Sequence, residues 1–260
     1  MIGLLFNFFL VALLAPAFYA FVYEGVLFLA SVFTFEATQW FFGGIVLFLF
    51  FYVPFLHGNI GFIEHLLHEL EHAALPFLFT LKLPRRMEVD PQEGSVVFVA
   101  YGGCALVALA PYYLPLLTLF FLGLKGGASL ALSLLEAPFP QFLAVILDLL
   151  IGATLMFHLV CTVQEFRLSQ PDIKGTGRIA SIIAVLFLSF MFVLLSVAVV
   201  TGSYAELVDY GKAALATTQD AYQAVLDFAQ TRVLPMVSDW SQTLKDQFCL
   251  QCTPTPAPTP

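Results

Sequence analysis

The sequence predicts an all-α polytopic membrane protein of about six transmembrane helices, with a short β or re-entrant segment in its middle and an amphipathic helix outside the membrane at its C-terminal end. Three observations predict it. Of 260 residues, 60% are hydrophobic and 11% charged, 29 of them phenylalanine, and the mean hydropathy of +0.91 is far above that of soluble chains. Apolar runs long enough to cross the ~30 Å hydrocarbon layer recur along the chain. The net charge of -8 comes mostly from the C-terminal extension and one His/Glu cluster. It carries no message about nucleic acid, and no phosphate-cradling glycine loop or basic aromatic patch is present, so no nucleic-acid partner is expected.

The elements follow in order. Ile2 to Phe33, interrupted by Pro16 and Glu24, suits a tilted or kinked span that acts as a signal anchor rather than a cleaved leader. Trp40 to Leu56 suits a second, and these form an N-terminal unit over 1–56. His57-Gly58-Asn59 reads as a turn into a helix from Ile60 to Leu83, which opens a core over 57–200. Beyond the polar stretch Met87 to Gly94, Ser95 to Ala100 is β-branched and aromatic, as a short strand or re-entrant segment requires. Gly102-Gly103 permits a bend. The run Cys104 to Leu124 is broken by Pro111 and Pro115, 125–139 reads as a loop with room for a short interfacial helix, and spans follow at Pro140 to Val163 and Ile179 to Val200.

Six of the ten basic residues, Lys82, Arg85, Arg86, Arg167, Lys174 and Arg178, fall on one face when the spans alternate. The positive-inside rule makes that face cytoplasmic. The layout then has both ends outside, in a bacterial inner membrane, with the helix after His57 running inward. From Ser203 to Cys252 apolar residues such as Leu207, Tyr210, Leu215, Tyr222, Leu226 and Val233 recur at helical spacing among acids. This extension over 201–252, on the non-cytoplasmic face, lies on the membrane or on its own protein, or else offers residues 203–248 to a protein partner. The Thr/Pro tail, 253–260, is low-complexity. Cys104 and Cys161 read as packing residues, whereas Cys249 and Cys252 suit a disulfide on an oxidising face.

The chemistry concentrates in Glu64-His65-Leu66-Leu67-His68-Glu69-Leu70-Glu71-His72. On a helix His68 and His72 share a face, so two imidazoles reach one tetrahedral cation, while Glu69 can take a proton from a metal-bound water. Five or six ionisable groups within nine residues of a span cost at least about 2.5 kcal/mol each near its centre. A dication compensates them; the alternative is a metal-free polar cluster that glues helices together. His65 and Glu64 are candidate orienting groups beside the ligands. A catalytic zinc needs a third protein ligand, and Asp148, His158 and Asp172 compete. Asp148 lies in an apolar run at the expected depth of His68. His158 sits near the cytoplasmic end of the same span, and Asp172 lies in a polar linker.

The stretch His68-Glu-Leu-Glu-His72-Ala, followed by Gly-Gly, a proline-broken apolar run and a downstream aspartate, resembles the site-2 protease family of intramembrane zinc metallopeptidases in a divergent branch. The resemblance covers about 60–200. It implies zinc ligation by His68 and His72, water activation by Glu69, and Asp172 as third ligand in Gln170-Pro-Asp172-Ile. The chain departs from the family at Glu71, where a small residue is usual, at Ile173, where glycine usually follows the aspartate, and in lacking a PDZ-type insertion. The function this implies is cleavage of a transmembrane protein substrate through a metal-activated water. The rivals are a protease-like structural subunit of a larger membrane complex, and a metal or proton transporter using Glu64, His65, His68 and Glu71 as a relay.

Overall fold

A computed structural model of the chain describes residues 2–56, 61–80, 87–90, 95–98, 105–168 and 170–251. The fold is predominantly helical, and five helices are long and apolar enough to cross a membrane. By length and composition the chain is an integral membrane protein. Helix α1 runs Ile2–Val32 and α2 Phe35–Phe51, followed by a π-helical turn at Tyr52–Leu56. Thr34 caps α2 by accepting from the Ala37 N–H, with Glu36 in its first turn, where the positive end of the helix dipole favours an acid. Helix α3, Gly61–Thr80, carries the His/Glu motif. Strands β1 (Met87–Asp90) and β2 (Ser95–Phe98) pair antiparallel with Met87 opposite Phe98.

Helices α4 (Ala105–Tyr113) and α5 (Leu116–Leu134) are parted at Pro115, as expected, whereas Pro111 lies within α4 without ending it. The stretch 125–139, expected as a loop with room for a short interfacial helix, is helix as far as Leu134, and Lys125 turns inward within it. Its ammonium is buried, 2.5 Å from Asp148 Oδ1 and 3.0 Å from the Val200 carbonyl. Helix α6 runs Gln141–Glu165 and the short α7 Pro171–Thr176. Gly177, at φ 92°, turns the chain from α7 into α8, Arg178–Thr201, which Gly202 ends at φ 74°; both angles lie where glycine carries no steric penalty.

Helices α2 and α6 run in the same direction. Phe41 faces Gly152, Phe48 meets Phe157, and Gln164 donates to the Tyr52 hydroxyl. Gly44 and Gly152 allow this approach, since a Cβ at either would collide with a backbone carbonyl of the partner helix. Helices α1 and α8 are also parallel, Phe18 and Phe21 packing on Phe187 and Gly25 on Phe190 and Leu194. Lys125 joins the start of α6 to the end of α8, so those two run oppositely. Strict alternation of six spans would oppose α2 to α6, and it is corrected here: α3 enters the bundle from the end where α6 finishes and α8 begins.

Beyond α8 the chain folds back as α9 (Tyr204–Phe228), a π-helical turn at Ala229–Val233 and α10 (Leu234–Gln251). Helix α9 packs along α1 and α8. Its inward stripe includes Leu207, Tyr210, Ala214 and Thr217, with Tyr210 against Phe21 and Phe28 and Thr217 donating to Glu24 Oε1 at 2.6 Å. Glu24 is the only charged residue of α1. Burial first, and Glu24 second, push the Tyr210 phenol up to about 12. From Gln223 to Thr243 every residue except Ala229 is exposed, Phe228 at 62%, Met236 at 70% and Trp240 at 67%. The extension thus lies on its own protein as far as Tyr222. The Cys249 side chain, Cys252 and the Thr/Pro tail fall outside the described residues, as does the His57 turn.

Candidate functional site

The motif helix α3 faces α4, the start of α5 and the last two turns of α6. Its Glu64, His68 and Glu71 line a cavity of about 20 Å³, together with Pro111, Pro115, Leu116, Thr154, Phe157, His158, Cys161 and Glu165. That volume admits roughly a single water. His72 and Glu69 stand on the adjoining side of α3, Glu69 half-buried and His65 exposed.

Both motif histidines are held through Nδ1. His68 Nδ1 is 2.6 Å from Glu165 Oε2, and His72 Nδ1 is 2.9 Å from the Val107 carbonyl of α4. A carbonyl only accepts, so His72 donates through Nδ1, and in its neutral form the lone pair is then on Nε2; a carboxylate opposite Nδ1 favours the same arrangement in neutral His68. The two rings lie 5.0 Å apart between centroids. Two imidazoles sharing a tetrahedral ion through ~2.0–2.1 Å bonds have centroids on the order of 5 Å apart, a separation that neighbouring residues i and i+4 of a helix also show. Tyr112 packs edge-on against His68 at 5.6 Å and Phe166 packs on Tyr112, which fixes the plane of the His68 ring.

The candidate third ligands separate. Asp148 is bonded to Lys125, ten residues up α6 from His158, and is removed from the site: the cost of an acid in an apolar run is met by an ammonium, not by a metal. His158 does lie at the site, buried, with Nδ1 3.7 Å from Glu71 Oε1 and Nε2 3.5 Å from the Thr162 hydroxyl. Asp172 is the second residue of α7, and its side chain lies outside the described set. Its helix is nonetheless adjacent, because Tyr112 donates to Gln170, the residue before α7, and Ile173 is buried in the cluster that holds Tyr112. Among the described residues, no three His, Cys, Asp or Glu side chains are grouped to hold a metal ion.

Glu71 and Glu64 also find partners. The Glu71 carboxylate accepts from the Leu116 N–H at the first turn of α5, where a helix N-terminus favours negative charge. Cys161 donates to Glu64 at 3.6 Å. Cys161, expected in apolar packing, therefore belongs to the polar site, half-buried and free. His68 pairs with the last residue of α6, and His158 lies seven residues earlier on that helix.

Glu165 is the residue that sequence reasoning missed. Ending the span at Val163 placed it in the linker, yet His158, Cys161, Thr162 and Glu165 recur at spacings of three and four and make one polar stripe on α6. No family model, curated protein or solved structure matches this chain. A likeness to site-2 proteases rests on the motif residues of the sequence alone.

Proposed function

We propose that this chain is an intramembrane zinc metalloprotease of site-2 type that cuts a membrane protein substrate close to one face of the bilayer. The observation that supports it best is the pair of Nδ1 tethers, which turn the Nε2 lone pairs of His68 and His72 into a preset two-nitrogen donor set. Asp172, at the start of α7, is the proposed third ligand. When bound, zinc supplies Lewis acidity toward the scissile carbonyl and acidifies a water. Glu69, next to His68 on the same helix, accepts that water's proton on its carboxylate and returns it to the leaving amine nitrogen. Pro111, Pro115 and Leu116 wall the His68 side of the site with apolar surface, which limits bulk water.

In this reading α1, α2, α5, α6 and α8 cross the membrane. The limb from α3 to α4 enters and returns at the face carrying Arg167, Lys174 and Arg178, which the positive-inside rule makes cytoplasmic. Five crossings replace six because Glu64, Glu69, Glu71 and three histidines make α3 too polar to serve as a free-standing span. Glu69→Gln should leave zinc content and fold unchanged while reducing cleavage of a co-expressed membrane substrate by at least ~100-fold. Undiminished cleavage would overturn the assignment.

A structural subunit remains the second reading, favoured by the exposed apolar residues of the helix beyond Tyr222. Purification in mild detergent separates the two. A subunit leaves the membrane in fixed stoichiometry with other chains and hydrolyses nothing. The relay of a transporter gains no such support, since His65 points away from the cavity that Glu64, His68 and Glu71 line.

A further inference from the structure

Glu165 occupies an unfavourable place for an acid. It ends α6, whose last turn holds no basic residue and whose free carbonyls already concentrate negative charge. Its own helix gains nothing from it. What it gains is His68, with Nδ1 and Oε2 2.6 Å apart and both side chains largely covered, at 16% and 20% exposure. His72, by contrast, relies on a neutral backbone carbonyl. The two motif histidines are therefore unequal, and only one has a charged partner.

We infer that Glu165 is the positioning residue of the proposed metal site. Its carboxylate accepts the Nδ1 proton of His68, fixes the tautomer, holds the ring against the edge of Tyr112 and raises the basicity of Nε2 toward a divalent transition-metal cation. Glu165 itself stays outside the coordination sphere. This inference rests on His68 and His72 being ligands, as proposed above, and concerns a residue that the motif does not contain.

The test uses the full chain in detergent, with Zn²⁺ affinity and the visible spectrum of bound Co²⁺ as readouts independent of proteolysis. Wild type, His68→Ala, Glu165→Gln and Glu165→Asp are compared, with Glu206→Gln, on the exposed face of α9, as control. Glu165→Gln should weaken zinc binding about 10- to 100-fold while saturating at the wild-type stoichiometry with an unchanged Co²⁺ spectrum, and Glu165→Asp should recover part of the affinity. If Glu165→Gln does not stay monodisperse, the Asp variant decides alone by binding more weakly than wild type.

Wild-type affinity in either Glu165 variant, with binding lost in His68→Ala, overturns the inference and leaves the metal site standing. A Co²⁺ spectrum at saturation that changes coordination number in Glu165→Gln also overturns it, by making Glu165 a ligand. If wild type and His68→Ala take up zinc equally, the metal reading itself fails and the inference falls with it.

Discussion

Helix α6 makes two interfaces that could hardly differ more. Toward α2 it presents Gly152 and a seam of apolar side chains, and the backbones approach until no Cβ would fit. Toward α3 it presents His158, Cys161 and Glu165, which reach across to Glu71, Glu64 and His68 around a water-sized cavity. The first interface is specified by what is missing from the side chains, the second by what they carry. Packing between lipid-facing helices rests on close contact of small residues. A polar gap keeps its integrity only if every group in it is paired.

Substitutions on the two sides should fail in different ways. The largest loss is expected where charge is stranded: Lys125→Met leaves Asp148 buried without its cation, and destabilisation of roughly 3–5 kcal/mol should appear as a lower unfolding midpoint in detergent. Lys125→Met with Asp148→Leu should restore most of it. Next, Gly152→Val forces α2 and α6 apart against the Phe41 carbonyl, at a cost of about 1–3 kcal/mol, read as a lower midpoint with the affinity of the proposed zinc site retained. A midpoint unchanged by Gly152→Val would break the comparison.

Smaller again is Glu71→Gln, which keeps an acceptor for the Leu116 N–H but removes its charge from the α5 N-terminus, for about 0.3–1 kcal/mol. Smallest is the titration of Tyr210. Its pKa is raised in the folded state to about 12, so the stability contributed by the protonated phenol is complete below about 10 and lost as pH rises through about 12. Phenolate absorbance of wild type against Tyr210→Phe should show one tyrosine ionising late, and Glu24→Gln should bring it earlier.

Much of this was legible in the sequence because apolar length and proline position are local properties. Helices α1, α2, α6 and α8 sit close to where the hydropathy places them, Pro115 breaks the chain as expected, and the motif lies on a helix. The direction of packing was not legible. Nothing local says that Gly44 and Gly152 will bring α2 beside α6 in parallel, and that single pairing reverses the entry of the motif helix. The continuation of α5 past Lys125 was not legible because the counter-ion of Lys125 lies 23 residues away on another helix. Glu165 was lost through a two-residue error in the end of a span, the least reliable feature of a sequence-based boundary, although the polar stripe from His158 could have recovered it.

The bond between Thr217 and Glu24 makes the return of the C-terminal helix something other than an accessory. Detaching α9 would abandon a lone carboxylate on an apolar rod that crosses lipid, at about 2.5 kcal/mol or more. Helix α1 is thus latched to a segment synthesised almost two hundred residues later, and its one charge is sheltered only once α9 has been made.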